Sequence, residues 1–349
     1  MVSVIITTYG GSLKLKRAIN SILCQTYTNI EIIVVDDNNP ETEARSITEK
    51  IMSSFSNSEK VIYVQHERNK NGAVARNTGI SLARGKYIAF LDDDDFYLST
   101  RIEKAVNLLE LNNSIGKDLV GVCYGVACID EGYITKIIQN QNGEELAIKL
   151  LLTNQNAIGT GSNIFVTKEA VEKVKGFDTD FLRFQDIEFM IRQIETQRII
   201  YQNEVLIVKD ISDTRIPKYK NVKEAFELFN QKFESLINSM DQNDIEIYYK
   251  DKYSYLFLLA EIGSDINEII EAGNLLNNNY ERSPVEMFFI RHPALTSFLW
   301  KFRKTIKKKY LKKMYAQIKQ IKICKLDKKN ISIIGRVTYN QIHDMLDIK

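Results

Sequence analysis

Along the first hundred residues, short unbroken apolar runs alternate with stretches whose apolar residues recur every three or four positions. Val4-Ile5-Ile6 predicts a buried strand, Glu31–Val35 a second, Val61–Val64 a third and Tyr87–Leu91 a fourth. Between them, segments from Ser12 to about Cys24, from 41 to 54 and from Gly72 to Ala83 predict helices, the first with Ser12 as its cap. Strands apolar on both faces, joined by amphipathic helices, predict an α/β fold with a parallel sheet covered on both sides. Ligands of such sheets bind beyond the carboxyl ends of the strands. Three strand ends here are polar: Thr7-Thr8-Tyr9, Asp36-Asp37 and the four aspartates Asp92–Asp95. Their expected convergence on one edge points to a site.

Residues 118–215 read as mixed. Val120–Ala127 and Tyr133–Ile138 are predicted strands around an Asp130-Glu131-Gly132 turn, and Ile164–Val166, Ile199–Tyr201 and Val205–Val208 are three more. A short helix is expected from Thr167 or Lys168 to just before Gly176, and another from near Asp186 to about Thr196. From about 220 onward the pattern is mainly helical, with a strand at Ile331–Ile334. The best boundary is Arg215-Ile216-Pro217, which divides the chain into residues 1–216 (halves 1–117 and 118–216) and a helical region 217–349.

Size agrees with that division: 349 residues exceed one ordinary domain, and 44% apolar content supports a substantial core. The chain opens directly in a β-branched run with no basic leader, and no stretch approaches the ~18–20 apolar residues of a membrane span. A soluble or peripheral protein is expected. Cys24, Cys123, Cys128 and Cys324 lack metal-ligand spacing, and the first three read as reduced, buried thiols of a reducing cytoplasm.

Charge changes the picture of the C-terminal region. Residues 299–329 hold thirteen Lys/Arg and one acid, Asp327, which leaves 34 bases against 44 acids elsewhere. Leu299, Phe302, Ile306, Tyr310, Met314, Ile318 and Ile321 recur at helical spacing between those lysines. The segment reads as a basic amphipathic helix. It suits an anionic membrane surface, or a helix packed on the body with its lysines solvated. Nucleic acid is the least favoured partner.

The acidic run carries the chemistry. Four consecutive aspartates repel one another unless a cation offsets them, and carboxylate oxygens suit Mg²⁺ or Mn²⁺. The plainer alternative is a solvated loop or a helix N-terminus that favours acids. Zinc is disfavoured, because His66, His292 and His343 are far apart and no Cys/His set exists. Neither a Walker phosphate loop nor a GxGxxG after the first strand is present.

Four segments in order resemble the family 2 glycosyltransferases of GT-A fold: Val2–Tyr9; Ser21–Tyr27 with Ile30–Asn38; Asn71–Gly79 with Ala83-Arg84-Gly85; and Tyr87–Asp95. A fifth, Gly161–Val166 followed by Gly176-Phe177-Asp178 and Gln185-Asp186, resembles the acceptor half of that fold. Together they cover roughly residues 1–215. The resemblance implies a Rossmann-like, mostly parallel sheet and an inverting transfer from a nucleotide-sugar, in the first instance a UDP-sugar. The acceptor would be a hydroxyl of a glycan, lipid-linked or protein-linked molecule, as in bacterial polysaccharide synthesis. It implies that Thr8, Tyr9, Asp37, Arg76, Asp92 and Asp93 face the nucleotide-sugar, with Tyr9 against the base and Asp37 on its uracil-type edge. Asp92 and Asp94, read as the family's D-x-D, would hold Mn²⁺ or Mg²⁺. Gly79 and Gly85 read as packing and turn glycines.

Asp186 is the implied general base, taking the acceptor hydroxyl's proton as its oxygen attacks the anomeric carbon. Glu188 is its rival. The family's usual Glu-Asp pair is Gln185-Asp186 here, and the family's later histidine ligand is missing from Val208–Ile216, where Asp210 or Asp213 are the available substitutes. Two other readings stay open: a sugar-phosphate nucleotidyltransferase, which needs a glycine-rich loop that Gly10-Gly11 alone does not supply, and a non-catalytic glycan-binding or partner subunit. The expected location is cytoplasmic, at the inner face of the cell membrane if residues 299–329 dock there.

Overall fold

A computed structural model describes residues 1–116, 118–139, 148–153, 157–213, 216–277, 284–299, 301 and 336–346. The expected strand at Ile331–Ile334, residue Arg215 of the boundary, Cys324 and nearly all of the basic segment 299–329 lie outside these residues. The chain forms two compact units: Met1–Leu151 with Gln155–Asp213 and Leu326–Lys349, and Leu152–Asn154 with Thr214–Lys325.

The first unit is a curled α/β sheet. Its elements are β1 (Val2–Thr8), α1 (Leu15–Leu23), β2 (Ile30–Asp36), α2 (Glu43–Ser53), β3 (Val61–Gln65), α3 (Gly72–Leu82), β4 (Tyr87–Asp92), β5 (Phe96–Tyr97), α4 (Arg101–Ser114), β6 (Leu119–Asp130), β7 (Tyr133–Ile138), α5 (Ile148–Thr153), β8 (Phe165–Thr167), α6 (Lys168–Lys173), α7 (Gln185–Ile194) and β9 (Arg198–Asp210). The strand order is β3-β2-β1-β4-β8-β6-β9-β5, with β7 beside β6. The long ladders, β3-β2-β1-β4 and β6-β9, are parallel; the short ones made by β5, β7 and β8 are antiparallel. The sheet is therefore mostly parallel, as the sequence predicts.

The first two strands form because nearly every side chain on both faces is buried. α1 covers one face through Leu15, Ala18, Ile19 and Ile22. α3 lies so close to β1 that a Cβ on Gly79 would stand 2.3 Å from Ile5 Cγ2. A Cβ on Gly85 would stand 2.6 Å from the Ser3 backbone nitrogen. Both glycines are thus required by close approach, as expected.

Three sequence expectations are corrected. Ser12 does not cap α1, whose N-cap position is Lys14, without a side-chain cap. Ile199–Tyr201 and Val205–Val208 are one strand, β9; the partly exposed stretch between them is a bulge where its register against β6 shifts. Cys24 is exposed at the end of α1, whereas Cys123 and Cys128 are buried free thiols. A further helix, α14 (Arg336–Leu346), returns to this core, with Ile342 fully buried in it and Tyr339 and Leu346 packed against it.

The second unit is helical: α8 (Tyr219–Lys232), α9 (Glu234–Asn238), α10 (Gln242–Gly263), α11 (Ile266–Asn277), α12 (Pro284–Arg291) and α13 (293–299). Asp241 caps α10 by accepting from Asp244 N, and Ser264 ends it in a left-handed conformation. Phe226, Phe229, Leu256, Phe257, Ala260 and Ile269 are buried. No helix among the described residues is long and apolar enough to cross a membrane.

Candidate active site

The carboxyl ends of β1, β2 and β4 lie side by side, because these strands pair in parallel register: Thr8 opposite Asp36, and Thr7 opposite Asp92. Hydrogen bonds stitch the tails together: the Asp37 backbone N–H donates to Thr8 O at 3.0 Å, and the Gly10 backbone N–H donates to the Asn38 side-chain Oδ1 at 2.7 Å. Tyr9 stands beyond the β1 end with 59% of its surface exposed.

The four aspartates divide their work according to which side of the β4 turn each faces. Asp92 accepts from Arg76 Nη2 at 2.9 Å, and its backbone N–H donates to Ser162 Oγ at 3.0 Å. Asp93 accepts from Thr8 Oγ1 at 2.5 Å. Asp94 remains partly exposed, and its backbone carbonyl accepts from Arg17. Asp95 is buried, accepting from Thr160 Oγ1, Ser162 Oγ and the Asp210 backbone N–H. Neither Asp93 nor Asp95 caps α4, which starts at Arg101.

This crowding is electrostatically costly. Burial, opposed by the Thr8 hydrogen bond and aided by the charges of Asp94 and Asp92, pushes Asp93 up to about 7. Burial and Asp92 push Asp94 up to about 6. Burial, with Asp94 and Asp92, also drives Asp95 well above the usual carboxylate range. Each shift records excess negative charge in a partly desolvated pocket.

Asp37 is deeply buried. Its carboxylate meets His66 Nδ1 at 2.7 Å and accepts from Asn69 Nδ2, Lys70 N and Asn71 N at 2.8–3.0 Å. It thereby ties the 66–71 loop to the end of β2. Asn71, at a φ of 85°, then caps α3 through Ala73 N and Val74 N. That helix delivers Arg76, whose guanidinium joins Asp92 to Gln185 Oε1 at 2.7 Å and lies 5.4 Å from the centre of the Phe177 ring.

Gln185 and Asp186 open α7, after Phe184 in a left-handed conformation. Asp186 is partly exposed, and its Oδ1 accepts from Ile187 N at 3.0 Å. A Cβ built on Gly161 would lie 3.5 Å from Asp186 Cβ and 3.7 Å from Arg76 Nη2, so Asp186 borders the Arg76–Asp92 pair. Glu188 is fully buried. It grips Arg192 through two bonds, and Arg192 also donates to the carbonyls of Val174 and Gly176. Of the two acids, Asp186 is the one beside the Arg76–Asp92 pair.

Asp210 is likewise committed. Lys14 and Arg17 pair with it at 2.9 and 2.8 Å, and Ser212 donates twice. Burial raises its carboxyl, but these partners outweigh it and hold the group at about 2. Asp213 is 79% exposed and pairs with Lys14. Among the described residues, no group of three or more His, Cys, Asp or Glu is arranged to hold a metal ion. Asp92, paired with Arg76, and the partly exposed Asp94 are the carboxylates of the expected D-x-D pair.

Sequence reasoning brought Thr8, Arg76, Asp92, Asp93 and Asp186 to one patch, and the structure assembles them. It missed Thr160 and Ser162, which orient the acidic run, and the Lys14–Arg17 pair beside it. The small polar stretch Gly159–Asn163 before β8, and two bases three residues apart just after the β1 tail, were the available signals.

Residues 3–175 match the family model described as glycosyl transferase family 2. An uncharacterized glycosyltransferase of Rickettsia typhi, RT0329, is 31% identical over 219 residues, covering 62% of this chain and 65% of the relative. The UDP-Glc:alpha-D-GlcNAc-diphosphoundecaprenol beta-1,3-glucosyltransferase WfaP of Escherichia coli is 36% identical over 110 residues, covering 32% and 41%. The chain spans just under two thirds of the length of the first curated relatives it matches. Among solved structures, S. aureus TarS 1–349 in complex with UDP-GlcNAc shares the fold with a TM-score of 0.57 at 13% identity, over 88% of this chain and 91% of that one.

Proposed function

We propose that this chain is an inverting glycosyltransferase that moves a sugar from a nucleotide-sugar to an acceptor hydroxyl, a reading supported by the match of residues 3–175 to the glycosyl transferase family 2 model. The observation that carries this is the meeting of Asp92, Arg76 and Asp186 at the carboxyl end of β4. It puts a charge cluster and a partly exposed carboxylate on one patch.

The donor's base would lie over the β1 and β2 ends against Tyr9. Asp37 would act by holding the 66–71 loop and presenting the base-facing edge. Thr8 and Asp93 would border the ribose and diphosphate, and Arg76 would orient Asp92 while bringing positive charge toward the phosphates. Asp92 and Asp94 would hold a divalent cation, which when bound offsets charge on the departing diphosphate. Asp186 would take the acceptor hydroxyl's proton as that oxygen bonds to the anomeric carbon and the bond to the diphosphate breaks.

A UDP-sugar donor is supported by WfaP's name and by the UDP-GlcNAc in TarS, and a lipid-linked glycan acceptor by WfaP's name. A peripheral place on an anionic membrane, reached through residues 299–329, fits such an acceptor. The test is a screen for UDP release from a panel of UDP-sugars with Mn²⁺ or Mg²⁺ and lipid-diphosphate or oligosaccharide acceptors. Acceptor-dependent release, abolished in Asp94→Ala, is expected. No release with any pair, together with no calorimetric UDP binding, would reject the proposal.

A further inference from the structure

Helix α13 is folded with its amphipathicity inverted. Its fully buried side chains are Thr296 and Ser297; Leu295, Phe298 and Leu299 are 40%, 60% and 40% exposed. Hydrogen bonds fix this orientation. Thr296 Oγ1 donates to the carbonyls of Phe289 and His292, and Ser297 Oγ donates to Ser264 O at 2.7 Å. Phe288, on the preceding helix α12, is a further exposed apolar side chain at 46%. Polar groups inside and leucines outside reverse the rule for a helix that covers a core. An apolar stripe of this kind marks an interaction surface.

The chain's charge selects the occupant. From Met287 to Leu326, forty residues carry twelve Lys/Arg and no Asp or Glu. Arg291 is exposed within the stripe region, and the bases then crowd immediately after Leu299. A second copy of this chain would bring the same positive charge and repel it. An apolar strip that the chain follows with bases alone fits the boundary between acyl chains and anionic headgroups.

We infer that Phe288, Leu295, Phe298 and Leu299 form a membrane-insertion edge, by which the second unit seats in an anionic bilayer surface. This rests on the reading that the basic segment lies on such a surface, and adds to it an apolar anchor fixed by the fold. Electrostatic attraction alone holds a protein over the headgroups and is lost in salt. Burying apolar side chains makes attachment persist.

Flotation of the full chain with vesicles of phosphatidylcholine, alone or with one third phosphatidylglycerol, tests this. Trp300, the only tryptophan and the residue after Leu299, gives a second readout through its emission. The wild type should bind the anionic vesicles, with a blue shift of Trp300 and part of the binding surviving high salt. Leu295→Ser with Leu299→Ser, both at exposed positions, should lower partitioning about tenfold and make the remainder salt-labile. Lys307, Lys308 and Lys309 changed to Gln should lower binding without removing the blue shift of the bound fraction. Wild-type-like binding and blue shift in the double serine variant would overturn the insertion edge while leaving the basic-segment reading intact. No wild-type binding to either vesicle would overturn both. A wild-type dimer that the serine variant dissociates, without vesicle binding, would assign the stripe to a second copy instead.

Discussion

Asp186 and Glu188 sit two residues apart at the start of one helix, and substituting them should give opposite outcomes. Asp186 is partly exposed, with one local bond to Ile187 N. Asp186→Asn keeps the shape and that acceptor, and loses only the charge near the helix N-terminus, about 0.3–1 kcal/mol. Its cost should fall on turnover, roughly 10²–10⁴-fold, the usual worth of a positioned general base. Glu188 is fully buried and holds Arg192 by bonds of 2.5 and 2.8 Å. Glu188→Ala strands a guanidinium that also anchors the 174–176 turn. Breaking a buried pair costs about 3–5 kcal/mol; because Arg192 is 17% exposed, the lower end applies. That corresponds to a melting-point drop of roughly 6–12 °C for a unit of this size. Melting curves and UDP release at saturating donor, run on the same preparations, separate the two. If Asp186→Asn keeps its rate within about threefold, or Glu188→Ala melts like wild type yet loses turnover, the assignment fails.

Stability of the cation-free protein should peak near pH ~4. Asp93 at about 7 and Asp94 at about 6 lie above their ordinary 3.8. The native state therefore holds extra protons between about pH 4 and 7, and stability falls as pH rises through that window. Asp210, held at about 2, contributes stability present above 3.8 and lost as pH drops toward 2. Urea titrations that rise steadily from pH 5 to 8 without cation would contradict this. Separately, Gly79→Ala should destabilise by about 1–3 kcal/mol through overpacking on Ile5, outweighing the ~1 kcal/mol that alanine gains in a helix. A more stable alanine variant in urea would refute the close packing of α3 on β1.

The parallel core was legible because β1 and β2 are apolar on both faces, a pattern little else produces. β5 was not: two residues carry no period, and Phe96-Tyr97 is a strand only because β9 lies beside it. β9 itself read as two pieces because its bulge interrupts the alternation. At the site, the acidic run could be seen, but not its division of labour. That division depends on Thr8, Thr160 and Ser162, which lie 65–85 residues away in sequence. The Arg17–Asp210 pair spans 193 residues, and no local spacing foretells it. Glu188 resembled a candidate base until its burial against Arg192 was known; sequence reports a carboxylate's place on a helix, not what packs around it.

The return of α14 to the first unit bears on how the protein is made. A ribosome completes β1 through β9 first and then spends more than a hundred residues on the second unit before Ile342 emerges. Throughout that interval the apolar site that Ile342 will fill stands open to solvent. At synthesis rates of ~5–20 residues per second the delay is of the order of ten seconds. The nascent first unit therefore carries a sticky face for far longer than elementary folding steps take. A chaperone that recognises apolar surface has its opportunity there, and premature termination within the second unit would leave that face permanently uncovered.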